Sequence, residues 1–183
     1  MKRENIIEVL CGAVRGADNW RKGWAGPGEK SPGTRVRRTE LDETLEKYFK
    51  AEGIGYTEMR GDVSGYAPGS DNIILPLGEQ FYTDEYYHAT KAHEAIHSTG
   101  AYVRCDREIE NPFGSYRYAK EELTAEIGAL FLLADYGLDI TKPLENTMAY
   151  VQSWSKRLQC NPRWVRDAAK AAAEAVEYIE DYE

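Results

Sequence analysis

Cysteine is scarce in this 183-residue chain: Cys11, Cys105 and Cys160 are odd in number, widely spaced and free of any C-x-x-C pair. Such usage argues against a disulfide framework or a cysteine zinc ribbon, and reduced thiols are expected. Long apolar runs are also missing. None approaches the roughly 20 residues that a membrane span needs. The apolar stretch 6–14 is interrupted by Glu8 and is followed by no small-residue cleavage signal. The expectation is a cytoplasmic protein with no membrane segment. Positive charge is short, with 23 Lys/Arg against 31 Asp/Glu and a net charge of -8. The deficit is uneven. Residues 1–40 hold nine Lys/Arg and five Asp/Glu, and the remaining 143 residues hold fourteen and twenty-six. An acidic body repels nucleic acid, so only the basic leader is expected to touch it, and weakly.

What is present is the composition of a folded domain, 42% hydrophobic and 30% charged, at a length that can bury a core without staples. Residues 1–40 divide into a short helical stretch, 5–14, and a Gly/Pro/basic segment, 23–33, which reads as an arm. The main domain is expected over 41–183. A helix over 41–51 presents Leu41, Leu45, Tyr48 and Phe49 on one face and is closed by Gly53. Three short β-prone runs follow, 56–59, 64–67 and 72–77, separated by turn residues and predicting a small antiparallel meander. Pro76 places the last strand at an edge or at its own end. Thr83 then predicts an N-cap, Asp84 and Glu85 a first turn, and Gly100 a stop. A second long helix is expected over 118–136, with Leu123, Ile127, Leu130, Phe131 and Ala134 as its buried stripe. A third begins near Pro143 and a last one after Asn161-Pro162. Trp154 belongs with Val151 and Leu158 on a core face.

Chemistry is concentrated in His93-Glu94-Ala95-Ile96-His97. Residues four apart on a helix share a face, so His93 and His97 can bind one metal ion in the H-E-x-x-H manner. Glu94 lies about 100° further round, where it cannot easily join as a ligand but can act on a water at the open coordination position. A catalytic zinc needs a third protein ligand, and Glu121-Glu122-Leu123-Thr124-Ala125-Glu126 is the best source. Glu122 and Glu126 share a face, and Glu121 points elsewhere. Glu122 is preferred as the ligand and Glu126 as the partner orienting a histidine, with the reverse left open. His88, five residues before His93, is too far round to share the metal face and reads as surface or structural. Cys105 is a minor alternative ligand. Tyr116 or Tyr118 could donate to an oxyanion, although packing explains either.

The spacing of the H-E-x-x-H motif and the later helical Glu resembles the gluzincin arrangement of thermolysin-like peptidases. More specifically, residues 86–100, 118–128 and 149–158 resemble, in order, the central stretch, second helix and C-terminal signature of the ArdC-type antirestriction family with its zincin-like metallopeptidase domain. That resemblance implies an α+β zincin-like fold and zinc-dependent hydrolysis of a peptide or protein substrate, with Glu94 as general base. An edge strand over 72–77 would hold the peptide. It also implies an alternative, a non-catalytic metal-stabilised module that blocks a restriction enzyme or another protein or DNA partner. Two departures stand out. Only Trp20-Arg21-Lys22-Gly23-Trp24 echoes the family's separate single-stranded-DNA-binding domain. After the His motif, the family's further His and Arg-Leu-Asn-Arg-like loop give way to Ala101-Tyr102-Val103-Arg104-Cys105-Asp106-Arg107.

Overall fold

Helix boundaries follow the local capping chemistry. In the computed structural model, which describes residues 1–15, 36–112, 114–158 and 162–182, helix α1 spans Arg3–Arg15 and α2 Glu40–Glu52. Thr39 and Asp42 form a reciprocal capping box at the start of α2, and Gly53 ends it in the left-handed conformation at φ 70°. Three strands follow: β1 (Gly55–Met59), β2 (Gly65–Ala67) and β3 (Asn72–Pro76). Helix α3 covers Asp84–Thr99, with the Thr83 side chain accepting the Tyr86 N–H at its N-terminus. Helix α4 covers Tyr116–Asp135 with Ser115 as N-cap, α5 covers Thr141–Leu158, and α6 covers Pro162–Glu180. The Gly/Pro/basic segment, the Trp20–Trp24 echo and Asn161 lie outside the described residues.

The architecture is mixed α+β, a three-stranded sheet with six α-helices among the described residues. The sheet corrects the expected meander. Its order is β1-β3-β2, with β1 parallel to β3 and β2 antiparallel to β3. Strand β3 is therefore central, hydrogen-bonded on both sides, and cannot be the free edge expected at 72–77. The reason is burial: Ile73 and Leu75 are fully buried, whereas β1 has three exposed positions and β2 no buried one. Pro76 is tolerated because it is the last residue of the strand.

Helix α3 packs on α4, and α4 in turn on α6. At the first of these contacts Gly128 faces Ile96, and a Cβ on Gly128 would lie 2.8 Å from Ile96 Cδ1. Glycine here permits close approach of two helices. Helix α6 turns Ala168, Ala169, Ala172 and Ala175 inward, all at most 3% exposed. Helix α1 packs on α5 and α6, with Ile6, Leu10 and Cys11 fully buried, so this helix from the leader shares the core with the rest. Trp154 and Val151 are buried as well. No helix among the described residues is long and apolar enough to cross a membrane.

Candidate metal centre

The site lies where the last two turns of α3 meet the first turns of α4. His93 and His97 project together, with their Nε2 atoms 3.0 Å apart. Glu122 reaches between them from α4, its Oε2 3.8 Å from His93 Nε2 and its Oε1 3.6 Å from His97 Nε2. One ligand atom from each of the three residues lies within 4.8 Å of the others, and among the described residues no other His, Cys, Asp and Glu group converges in this way. Tetrahedral ligands about 2.0–2.1 Å from a zinc ion stand about 3.3 Å apart. The three separations straddle that value. Two imidazoles and one carboxylate form a donor set suited to zinc and related divalent ions, and three ligands leave a coordination position open.

His93, His97 and Glu122 line a cleft of about 620 Å³ whose walls also include Glu94 and Tyr118. Glu94 is 6% exposed, so it is held in the wall but reachable from the cleft. Glu126 also lines it. Its Oε1 stands 3.7 Å from His93 Nδ1, beyond ordinary hydrogen-bond length, and its Oε2 accepts from Thr147 Oγ1 at 2.7 Å. The free edge beside the cleft is β2, which contributes Gly65 and Tyr66 to the wall.

Two tyrosines differ in placement. Tyr116 is half-exposed and packs its ring 6.0 Å from Trp164. Tyr118 lines the cleft and hydrogen-bonds Glu122, and burial together with the Glu122 charge pushes its hydroxyl up to about 12. Tyr150 was not anticipated. Its hydroxyl is buried with no hydrogen-bond partner among the described residues. Burial first, then Glu122, Tyr118 and Glu126, raises its pKa.

Glu121 was expected to point elsewhere, yet its Oε1 lies 3.1 Å from His97 Nδ1. A helical wheel treats one face of α4 as the contact surface, but α3 meets α4 broadly enough to touch both Glu121 and Glu122. Burial alone would raise the Glu121 pKa, and hydrogen bonds from His97 and Arg107 hold it below the usual range. For His97 burial acts downward, and Glu121 with the neighbouring carboxylates carries the pKa above its ordinary value. His88 is buried on the opposite side of α3, with Nε2 3.2 Å from the Arg37 carbonyl and Nδ1 3.5 Å from Asp42, a structural placement. Cys105 is half-buried and stands outside the converging group.

A family model for zincin-like metallopeptidases matches residues 43–171. The DNA primase TraC of Escherichia coli is 40% identical over 141 residues, which are 77% of this chain and 10% of that protein. Among solved structures, the antirestriction protein ArdC from plasmid R388 is similar in two forms. The metal-free form has a TM-score of 0.59 and 32% identity, covering 84% of this chain and 53% of that one. The Mn(II)-bound form has a TM-score of 0.62 and 30% identity, covering 90% and 58%. The chain thus spans about a tenth of the primase and little more than half of ArdC.

Proposed function

The chain belongs to the zincin-like metallopeptidase family, and on that premise we propose that it is a zinc-dependent peptidase with His93, His97 and Glu122 as metal ligands and Glu94 as general base. The observation carrying this reading is the convergence of the three donor atoms within 4.8 Å on a cleft that Glu94 also lines. A purely structural zinc usually has four protein ligands and needs no neighbouring base.

A divalent ion held there supplies Lewis acidity, which for zinc brings the pKa of water toward about 7. The Glu94 carboxylate takes a proton from the attacking water and delivers it to the leaving amine. Tyr118, whose proton is held at neutral pH, donates to the oxygen that gains charge at the scissile carbonyl. An extended peptide adds to the free edge of β2, which borders the cleft, in place of the strand expected at 72–77.

Similarity to an antirestriction protein favours a second reading, a metal-stabilised module that blocks a protein or DNA partner without cutting it. The Mn(II)-bound relative also makes manganese an alternative to zinc. Elemental analysis and a peptide-cleavage screen on wild type and Glu94→Gln separate these. We expect about one zinc per chain in both proteins, lost in His93→Ala, and hydrolysis reduced by about 10²- to 10⁴-fold in Glu94→Gln. Wild-type cleavage by Glu94→Gln removes the general-base role. A metal-loaded wild type that cleaves nothing yet inhibits a restriction enzyme, as Glu94→Gln then also does, supports the blocking module.

A further inference from the structure

His97 Nε2 faces the other donors, 3.0 Å from His93 Nε2 and 3.6 Å from Glu122 Oε1, and its Nδ1 faces Glu121 Oε1 at 3.1 Å. A neutral imidazole carries one N–H and one lone pair, and an ionised carboxylate only accepts. Contact with Glu121 therefore requires the proton on Nδ1 and leaves the Nε2 lone pair directed at the site. The Glu121 side chain is 8% exposed and is itself gripped by Arg107, whose Nε donates to Oε2 at 3.0 Å and Nη2 to Oε1 at 2.9 Å. This is the bidentate fork that arginine forms and lysine cannot.

Arg107 is anchored in turn to the end of the metal helix. Its Nη1 donates to Thr99 Oγ1 at 2.8 Å and its Nη2 to the Ile96 carbonyl at 2.7 Å, while its backbone N–H donates to the Gly100 carbonyl at 3.0 Å. Gly100 has an ordinary right-handed conformation, so it is needed for space: a Cβ would overlap Ile109 and crowd the Arg107 guanidinium. The loop after α3 thereby folds back on its last turn. Among the described residues His93 has no comparable clamp, since Glu126 stands 3.7 Å from its Nδ1.

We propose that Glu121 and Arg107 are a positioning pair that fixes the Nδ1–H tautomer and the ring orientation of His97, making it the preorganised ligand while His93 is the adjustable one. This rests on the proposed metal site but not on catalysis, because the pair acts on the ligand before any ion or substrate arrives. It also gives the sequence of residues 101–107 a task at the site.

The primary test is the nitrogen NMR signature of the neutral His97 ring in metal-free wild-type protein, recorded at a pH where the ring holds a single proton, which needs no variant to fold. We expect that proton on Nδ1 and the lone pair on Nε2. A neutral ring with its proton on Nε2 and Nδ1 bare overturns the proposal. Zinc titrations extend the test: Glu121→Ala and Arg107→Ala should each weaken binding by about 10- to 100-fold, with Glu121→Gln partly rescued because its amide oxygen can still accept from Nδ1. Arg107→Lys should not be rescued. The double variant Arg107→Ala/Glu121→Ala should lose no more than the worse single variant, as residues acting as one unit do. Wild-type affinity in folded Glu121→Ala overturns the positioning role even where zinc is bound. Failure of the metal site itself is read separately, by wild-type protein taking up no zinc or by His93→Ala keeping it.

Discussion

Asp42 illustrates how much a single side chain carries behind α3. It is 4% exposed, closes the capping box of α2 with Thr39, and accepts from Lys91 Nζ at 2.8 Å, with Lys91 only 2% exposed. Burial alone would raise the Asp42 pKa, but the Lys91 hydrogen bond and charge, the Thr39 N–H and nearby His88 lower it below 3.8. Because the folded value is depressed, the ionised group stabilises the fold above its unfolded pKa of about 3.9 and ceases to do so as pH falls through the lower folded value. Asp42→Asn leaves Lys91 buried without a counter-charge and should cost about 3–5 kcal/mol at neutral pH by urea denaturation. The gap from wild type should narrow below about pH 4. A loss under 1 kcal/mol would mean that water reaches Lys91. Sequence inspection of the same helix identified His93, Glu94 and His97 as a group, because one turn of helix relates them. It gave no hint of the Asp42–Lys91 pair, whose members are 49 positions apart.

At the scale of elements, the crossing of α3 and α4 decides whether His93, His97 and Glu122 can meet. Gly128 sits at that crossing, and a Cβ there would be 2.8 Å from both Cδ1 and Cγ1 of fully buried Ile96. Gly128→Ala gains about 1 kcal/mol of helix propensity against an overpacking cost of about 1–3 kcal/mol. We expect a net loss of stability in thermal denaturation and weaker zinc binding as Glu122 moves from the histidines. Adding Ile96→Val, which deletes the Cδ1 methyl, should restore part of both. A stabilised Gly128→Ala with unchanged zinc affinity would show that the crossing has slack. Helix existence was legible along the chain, from Thr83, Gly53 and the 3.6-residue apolar stripes. Sheet order was not. The turn residues between the strands bound three short runs, but only burial of Ile73 and Leu75 puts β3 between the other two.

For the whole molecule, the question is how much of the chain forms one cooperative unit. Residues 1–40 read as a helix and arm set apart from the domain at 41–183, yet Ile6 and Leu10 of α1 have no exposed surface and pack in the core with α5 and α6. Leu10→Ala should therefore destabilise the protein by about 2–5 kcal/mol in a single denaturation transition. A silent Leu10→Ala would mark α1 as a detachable arm. Arg104 joins other distant parts of the unit. Its side chain is 1% exposed and donates to Glu52 at the end of α2, Asp71 just before β3 and the Ser98 carbonyl near the end of α3. Two residues of the loop after α3, Arg104 and Arg107, thus hold the C-terminus of that helix in place.

The amino-acid sequence by itself determined the helices, their caps, the α+β class and the pairing of His93 with His97, because helical periodicity and capping act over three or four residues. It also narrowed the candidates for a third ligand to one short acidic run. Tertiary structure alone decided that Glu122 is the carboxylate within 4 Å of both histidines, that Glu121 meets His97, that β2 is the edge strand beside the cleft and that α1 is part of the core. Each of these depends on how segments tens of residues apart are brought together by burial, and the contact exists only once the helices have crossed and the core has closed.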